Sequence, residues 1–235
     1  AALPGILFMH GGGFTIGSVA NYHGVVSWLA DQLKVVIVSL DYRLGPEHPY
    51  PSAAEDAIAA WQWLCANTDQ LGLNPARLGV MGDSAGGNLA AVVSQQAARR
   101  GLPKPKLQCL ICPTVELRMT ANSISRYGKG FGLTIELIKW FRTHYLESVT
   151  QASEILASPG LAEDVKGQPA TLLITATDPL RDEGLAYAEK LQAAGVKVTH
   201  LDFPRLIHGF IGMAGVLPAA RKALSEICQN LAEQL

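Results

Sequence analysis

The sequence predicts an α/β protein: a mostly parallel, doubly wound sheet of about six strands flanked by helices. Two observations carry that expectation. Short apolar runs alternate with longer amphipathic ones along most of the chain, which is the pattern of repeated β-α units. Several of the short runs are apolar without alternation, as strands covered by helices on both faces must be.

Taken in order, the first strand is expected at Gly5 to Met9, followed by a helix from Val25 to Leu33 and a strand from Val35 to Leu40. Ala53 to Thr68 carries an apolar stripe at helical spacing, with Ser52 as its N-cap. Leu78 to Gly82 reads as a strand, Gly86 to Arg99 as a helix and Leu107 to Cys112 as a strand. The stretch from Thr114 to Gly167 shows no clear strand and one helix, Thr134 to Leu146, between flanks rich in Gly, Ser and Thr. Segments of that length in a compact domain are usually functional covers. Thr171 to Ala176 and Val198 to Phe203 are the last strands, with a helix from Glu183 to Ala194 ended by Gly195 between them. Pro218 to Leu235 is the final helix. No repeat or linker breaks the pattern, so the expectation is a single domain over residues 1–235 with 114–167 as a partial cap.

Composition narrows the function classes. A net charge of -1, from 19 basic and 20 acidic residues, gives no electrostatic basis for nucleic acid or an anionic membrane as partner. No apolar run approaches the roughly 20 residues that span a bilayer, so no stable membrane association is expected. Ala1 to Met9 lacks the basic start and long apolar stretch of a secretory signal, and the cytoplasm is the expected compartment. Cys65, Cys109, Cys112 and Cys228 are too scattered for a disulfide framework. Cys109 and Cys112 have C-x-x-C spacing, but on a strand positions three apart face opposite ways. They are therefore read as small buried apolar residues, with no metal and no cofactor expected.

Gly82-Asp83-Ser84-Ala85-Gly86 is a weak signal as a pentapeptide and a strong one in context. It lies between an expected strand and an expected helix, where a sharp turn exposes the Ser84 hydroxyl above a helix N-terminus. His10-Gly11-Gly12-Gly13 follows the first strand and offers unshielded backbone N–H groups, the donors an oxyanion needs. The phosphate-binding glycine spacings are absent from this loop. A nucleophilic serine on such a turn needs an acid and then a histidine later in the chain. His208 follows the last strand directly, whereas His200 lies within that strand and His144 within a helix. Asp178 follows the strand before it; Asp182 and Glu183 compete, but they fall at a helix N-terminus where acids are common for dipole reasons.

Five stretches together resemble the hormone-sensitive-lipase-like carboxylesterases, the bacterial family IV esterases of α/β-hydrolase fold. They are His10 to Phe14, Asp41 to Pro51, Gly82 to Asn88, Asp178 to Gly184 and Ile207 to Phe210. The resemblance implies a triad of Ser84, Asp178 and His208, and an oxyanion hole made by the N–H groups of Gly12, Gly13 and Ala85. It also implies a small-molecule ester of short to medium acyl chain as substrate. The segment from Tyr42 to Pro51 is read as a brace, with Arg43 and Glu47 supplying its charges and His48 structural. Gly45 and Gly160 stand where the family would lead one to expect Ala and a larger apolar residue.

Members of that family carry about two more strands and a helical cap segment ahead of the glycine-loop strand, and these fall outside the 235 residues. Two expectations follow: an exposed apolar edge at Val35 to Leu40 that favours homo-oligomers, and a site covered only by residues 114–167 and hence open. Activity should fall as pH drops through about 6.5, where a free imidazole titrates. Two readings compete with ester hydrolysis. An amidase or deacetylase would use the same triad, and a non-catalytic receptor could use the same scaffold.

Overall fold

A computed structural model describes residues 2–235. Its six strands form one all-parallel sheet in the order β2-β1-β3-β4-β5-β6. They are β1 Leu3–Met9, β2 Val36–Leu40, β3 Leu73–Asp83, β4 Leu107–Ile111, β5 Ala170–Ala176 and β6 Val198–Phe203. The helices are α1 Val19–Leu33, α2 Ser52–Ala66, α3 Ala85–Arg99, α4 Asn122–Tyr127, α5 Ile135–Tyr145, α6 Arg181–Ala193 and α7 Pro218–Ala232.

Alternation along each strand sorts the core into two layers. Leu7 and Met9 of β1, Val80 of β3 and Leu173 of β5 pack with α2, α3 and α6, around Trp61, Leu89 and Tyr187. Ile6 and Phe8, Met81, Leu172 and Ile174 point the other way, onto α1 and α7. With helices on both faces the central strands have no polar face to keep, which is why they read as continuous apolar runs. The strand order reverses at β1: the chain leaves it for β2 on one side and then crosses back to β3 on the other. Two loops diverge at the carboxyl ends of β1 and β3, and such a switch point is where open α/β sheets form their crevice. β2 lies at the sheet edge and all five of its residues are half-buried.

Several boundaries differ from expectation for local reasons. α1 begins six residues early because Ser18 caps it, accepting from the Asn21 N–H at 3.2 Å. Ser52 is the first helical residue of α2, after Pro51, and its side chain caps nothing. The short α4 was not expected from the sequence. Gly195 adopts φ +80° just past α6, as a helix terminator should. β4 ends at Ile111 and Cys112 turns to φ +41°, so strand alternation does not reach it. Cys109 and Cys112 consequently share one apolar layer, contrary to the expectation that they face apart. No helix among the described residues is long and apolar enough to cross a membrane.

Candidate active site

The turn bearing Ser84 is shaped by close approach. A Cβ on Gly82 would run into the backbone of Gly86, and one on Gly86 would run into the Met9 carbonyl. Ser84 itself is at φ +57°, ψ -116°, a conformation that costs a non-glycine residue on the order of 1–3 kcal/mol. Its surroundings hold it there. Its N–H donates to the Ile111 carbonyl at 2.8 Å, and its own carbonyl accepts from Asn88 at 3.1 Å. Its hydroxyl is thereby aimed off the carboxyl end of β3, where a loop would have left it free to rotate away.

His208 arrives on the turn after β6, with Nε2 2.9 Å from Ser84 Oγ. Asp178, on the turn after β5, faces the other ring nitrogen: Oδ2 lies 3.5 Å from Nδ1. That separation is longer than an ordinary hydrogen bond and leaves Nδ1 without another partner. Catalytic contacts of this kind often tighten only when substrate is bound. The second oxygen of Asp178 is fixed by the Leu180 N–H at 2.6 Å, and the two turns are joined by Thr177 N–H to Leu206 carbonyl at 2.9 Å. Burial disfavours charge on His208. The carboxylate of Asp178, with the charge of Asp83, outweighs it and lifts its pKa above the usual 6.5. A neutral base at this position therefore requires a higher pH than a free imidazole would.

Of the three acids considered, Asp178 is the one in ion-pair range of His208. Asp182 lies 3.9 Å from Arg181, and Glu183 turns into a different network. His200 bonds Thr175 within the sheet, at 2.8 Å, and His144 bonds the Trp140 carbonyl at 2.8 Å.

The glycine loop sits against this turn. Gly12 and Gly13 have φ +125° and +59° and line the same cavity as Ser84 and His208. Among the described residues neither N–H has a backbone acceptor. Ala85 opens α3, so its N–H has no acceptor within the helix either. His10 is fully buried, stacked 4.3 Å from Tyr42, whose hydroxyl donates to the His10 carbonyl at 2.8 Å. The Tyr42 to Pro51 segment thus braces the loop, though not by the expected charges: Arg43 pairs with Asp56 at 2.7 Å, while Glu47 and His48 are exposed. Gly45 is required here, since a Cβ would run into the His144 carbonyl. Asp83, pushed upward in pKa by burial, accepts from Tyr22 at 2.7 Å beside Gly11.

The site is a cavity of about 260 Å³, and residues 114–167 supply much of its wall. Leu117, Ile124, Leu133, Leu137, Ile138 and Phe141 give it an apolar lining, and Ser84 is only 8% exposed. A Cβ on Gly13 would run into the Phe141 ring, so α5 rests directly on the glycine loop.

Four residues that hold the wall in place escaped the sequence reading. Asn88 donates to the carbonyls of Thr114 and Ala157, at 2.9 and 2.8 Å. Glu183 accepts through one oxygen from Val115, Glu116 and Thr114, and burial raises its pKa to about 8. Ser123 joins α4 to the Pro179 carbonyl at 2.6 Å, and Ser158 receives Leu117 at 2.7 Å. Asn88 and Glu183 lie inside motifs already singled out, but their partners are backbone groups far along the chain. No local signal pairs them. One group of three potential metal donors occurs among the described residues: Cys112, Asp178 and His208.

Comparison with known proteins agrees with this geometry. The chain is 36% identical over 233 residues to the ethyl acetate hydrolase of Pseudomonas putida, spanning 98% of this chain and 73% of that one. It is 41% identical over 219 residues to the carboxylic ester hydrolase LipN of Mycobacterium tuberculosis, covering 90% of this chain and 58% of that protein. Among solved structures it is similar to EstE1, a thermophilic carboxylesterase from a metagenomic library, with TM-score 0.96 and 41% identity over 100% of this chain and 81% of that one. It is also similar to the hyperthermophilic esterase of Pyrobaculum calidifontis, with TM-score 0.95 and 41% identity over 98% of this chain and 77% of that one. The resemblance to hormone-sensitive-lipase-like esterases read from the motifs is borne out by these relatives. Residues 6–212 match the family model described as alpha/beta hydrolase fold, and the chain belongs to that family.

Proposed function

We propose that this chain hydrolyses small carboxylic esters through an acyl-enzyme formed on Ser84. The observation that carries the reading is the 2.9 Å contact between Ser84 Oγ and His208 Nε2, on a serine held rigidly above the N-terminus of α3. In this reading Ser84 attacks the ester carbonyl while His208 takes its proton. Asp178 holds the imidazole with its proton on Nδ1 and stabilises the imidazolium that forms. The oxyanion is received by the N–H groups of Gly12, Gly13 and Ala85. His208 then gives the proton to the departing alkoxide, and water, deprotonated by the same histidine, releases the acid.

The cavity supports a small substrate. Pockets for drug-sized ligands run from about 300 Å³ upward, and this one is about 260 Å³ with an apolar wall. Short to medium acyl chains fit that space. Three of the four free thiols are buried, which suits the cytoplasm as working compartment.

The test is a panel of p-nitrophenyl esters of increasing acyl length, with an anilide for comparison, on wild type and Ser84→Ala. Short esters should turn over fastest, and the variant should lose at least about 10⁴-fold in kcat. Undiminished turnover in Ser84→Ala would discard the mechanism. Preference for the anilide would favour the amidase reading.

A further inference from the structure

Cys112 is the one cysteine that approaches the catalytic groups. Its positive φ at the end of β4 turns the residue out of the strand, and its N–H is tied to the Ile174 carbonyl at 2.9 Å. Its Sγ, a carboxylate oxygen of Asp178 and a ring nitrogen of His208 all lie within 4.8 Å of one another. Cys112 and Asp178 are almost fully buried, 2% and 1% exposed. Within this cluster His208 Nδ1 faces Asp178 Oδ2 at 3.5 Å, a gap longer than an ordinary hydrogen bond.

We propose that Cys112, Asp178 and His208 form an inhibitory binding site for a thiophilic divalent cation such as Zn²⁺. The donor set is one thiol, one imidazole and one carboxylate, the combination that borderline-soft cations take and hard cations do not. Bond lengths of about 2.0–2.3 Å put the donors of a tetrahedral site about 3.5 Å apart. The Asp178–His208 pair already stands at that separation. Only the thiol must close in, by about 1.3 Å at most. The other oxygen of Asp178 is held by Leu180, so coordination through Oδ2 leaves that bond in place.

The chemical consequence follows from the tautomer. Ester hydrolysis needs the proton on Nδ1 and the lone pair on Nε2, facing Ser84. A cation that binds Nδ1 displaces the proton there, which is then carried on Nε2, and the thiol releases its own proton to solvent as Cys112 coordinates. Nε2–H can then only donate to Ser84 Oγ and cannot take its proton. The cation thus disables the base without entering the substrate cavity. A thiol is a ligand that borderline-soft cations take and hard cations do not. This favours Zn²⁺ over Mg²⁺ or Ca²⁺.

Inhibition rests on the proposed triad, whereas binding does not, so the two are measured separately. Hydrolysis of a p-nitrophenyl ester is titrated with ZnCl₂ or MgCl₂ in chelator-free buffer, on wild type, Cys112→Ala, Cys112→Ser and Cys109→Ala. Zn²⁺ should inhibit wild type and Cys109→Ala alike. Either Cys112 variant should need at least about tenfold more Zn²⁺, as loss of a ligand costs no less than loss of an outer-shell partner. Mg²⁺ should do nothing. Binding is read by the thiolate-to-metal absorption of added Co²⁺ on Ser84→Ala, which requires no activity: the band should appear there and vanish when Cys112→Ala is added to it. Equal Zn²⁺ sensitivity of wild type and the Cys112 variants, or no thiolate band on Ser84→Ala, would overturn the site. A band with no ester hydrolysis in wild type would leave the site standing and remove the proposed function instead.

Discussion

The sheet with its flanking helices and the wall from Thr114 to Gly167 enclose the same cavity, and the wall adds to apolar packing a set of buried polar anchors. The sheet is an apolar construction: its buried residues divide by strand alternation into two layers, and α2, α3, α6, α1 and α7 close over them. The wall also buries apolar side chains, Val115, Tyr145, Leu146 and Val165 among them, in the layer shared with α2 and α3, and it is tied down in addition by buried polar groups, Asn88, Glu183, Ser123 and Ser158. The difference has a functional meaning. Hydrophobic burial is non-directional and tolerates adjustment, whereas a buried hydrogen bond fixes one geometry and is costly to leave unmade. The scaffold sets where Ser84, Asp178 and His208 stand, and the polar anchors set how closely Phe141 and its neighbours press on the glycine loop.

Three substitutions would break or sharpen that contrast. Trp61→Ala, at the fully buried centre of the α2 and α3 layer, should have the largest effect. It removes a core side chain together with its bond to the Pro103 carbonyl at 2.8 Å, for a loss of about 3–5 kcal/mol. Thermal melting should register a fall on the order of 10 °C, with KM for a short ester nearly unchanged below the transition. A raised KM with an intact melting temperature would show that scaffold and wall are not separable.

Asn88→Ala comes next, because it strands two buried carbonyls, of Thr114 and Ala157, at about 1–3 kcal/mol. Amide hydrogen exchange should speed up in residues 114–161 well before it does in β3, β4 and β5, and KM should rise. Uniform acceleration through the sheet would break the comparison.

The smallest effect is a pH dependence. Glu183 is lifted to about 8 by burial, so from the unfolded value near 4.5 up to about 8 the unfolded chain ionises while the folded one stays protonated. Wild-type stability contributed by this group is present below that window and is lost as pH rises through it. Glu183→Gln imitates the protonated acid and keeps an acceptor for Val115 and Glu116. Its melting temperature relative to wild type should therefore increase from pH 5 to pH 8. A constant difference would mean Glu183 is ionised in the folded protein.

Much of the scaffold was legible because its information is local. Val198 to Phe203 matched its expected strand residue for residue, and the other strands held with shifted ends, since apolar runs and helical periodicity need only neighbours along the chain. Ser84, Asp178 and His208 were legible for a related reason. Each follows a strand directly, and in a parallel sheet the residues after successive strands collect at one edge.

What the chain by itself determined is thus the sheet, its two-sided covering and the order in which the loops bearing these three residues reach the carboxyl edge. The tertiary structure alone decided the rest: which of the nearby acids faces His208, that Arg43 pairs with Asp56, that Phe141 rests on the glycine loop, and that Cys112 stands beside Asp178. The physical reason is the same in each case. These are single contacts between side chains and distant backbone or side-chain groups, which leave no periodicity in the sequence, and their geometry exists only once two layers of helices have closed on the sheet.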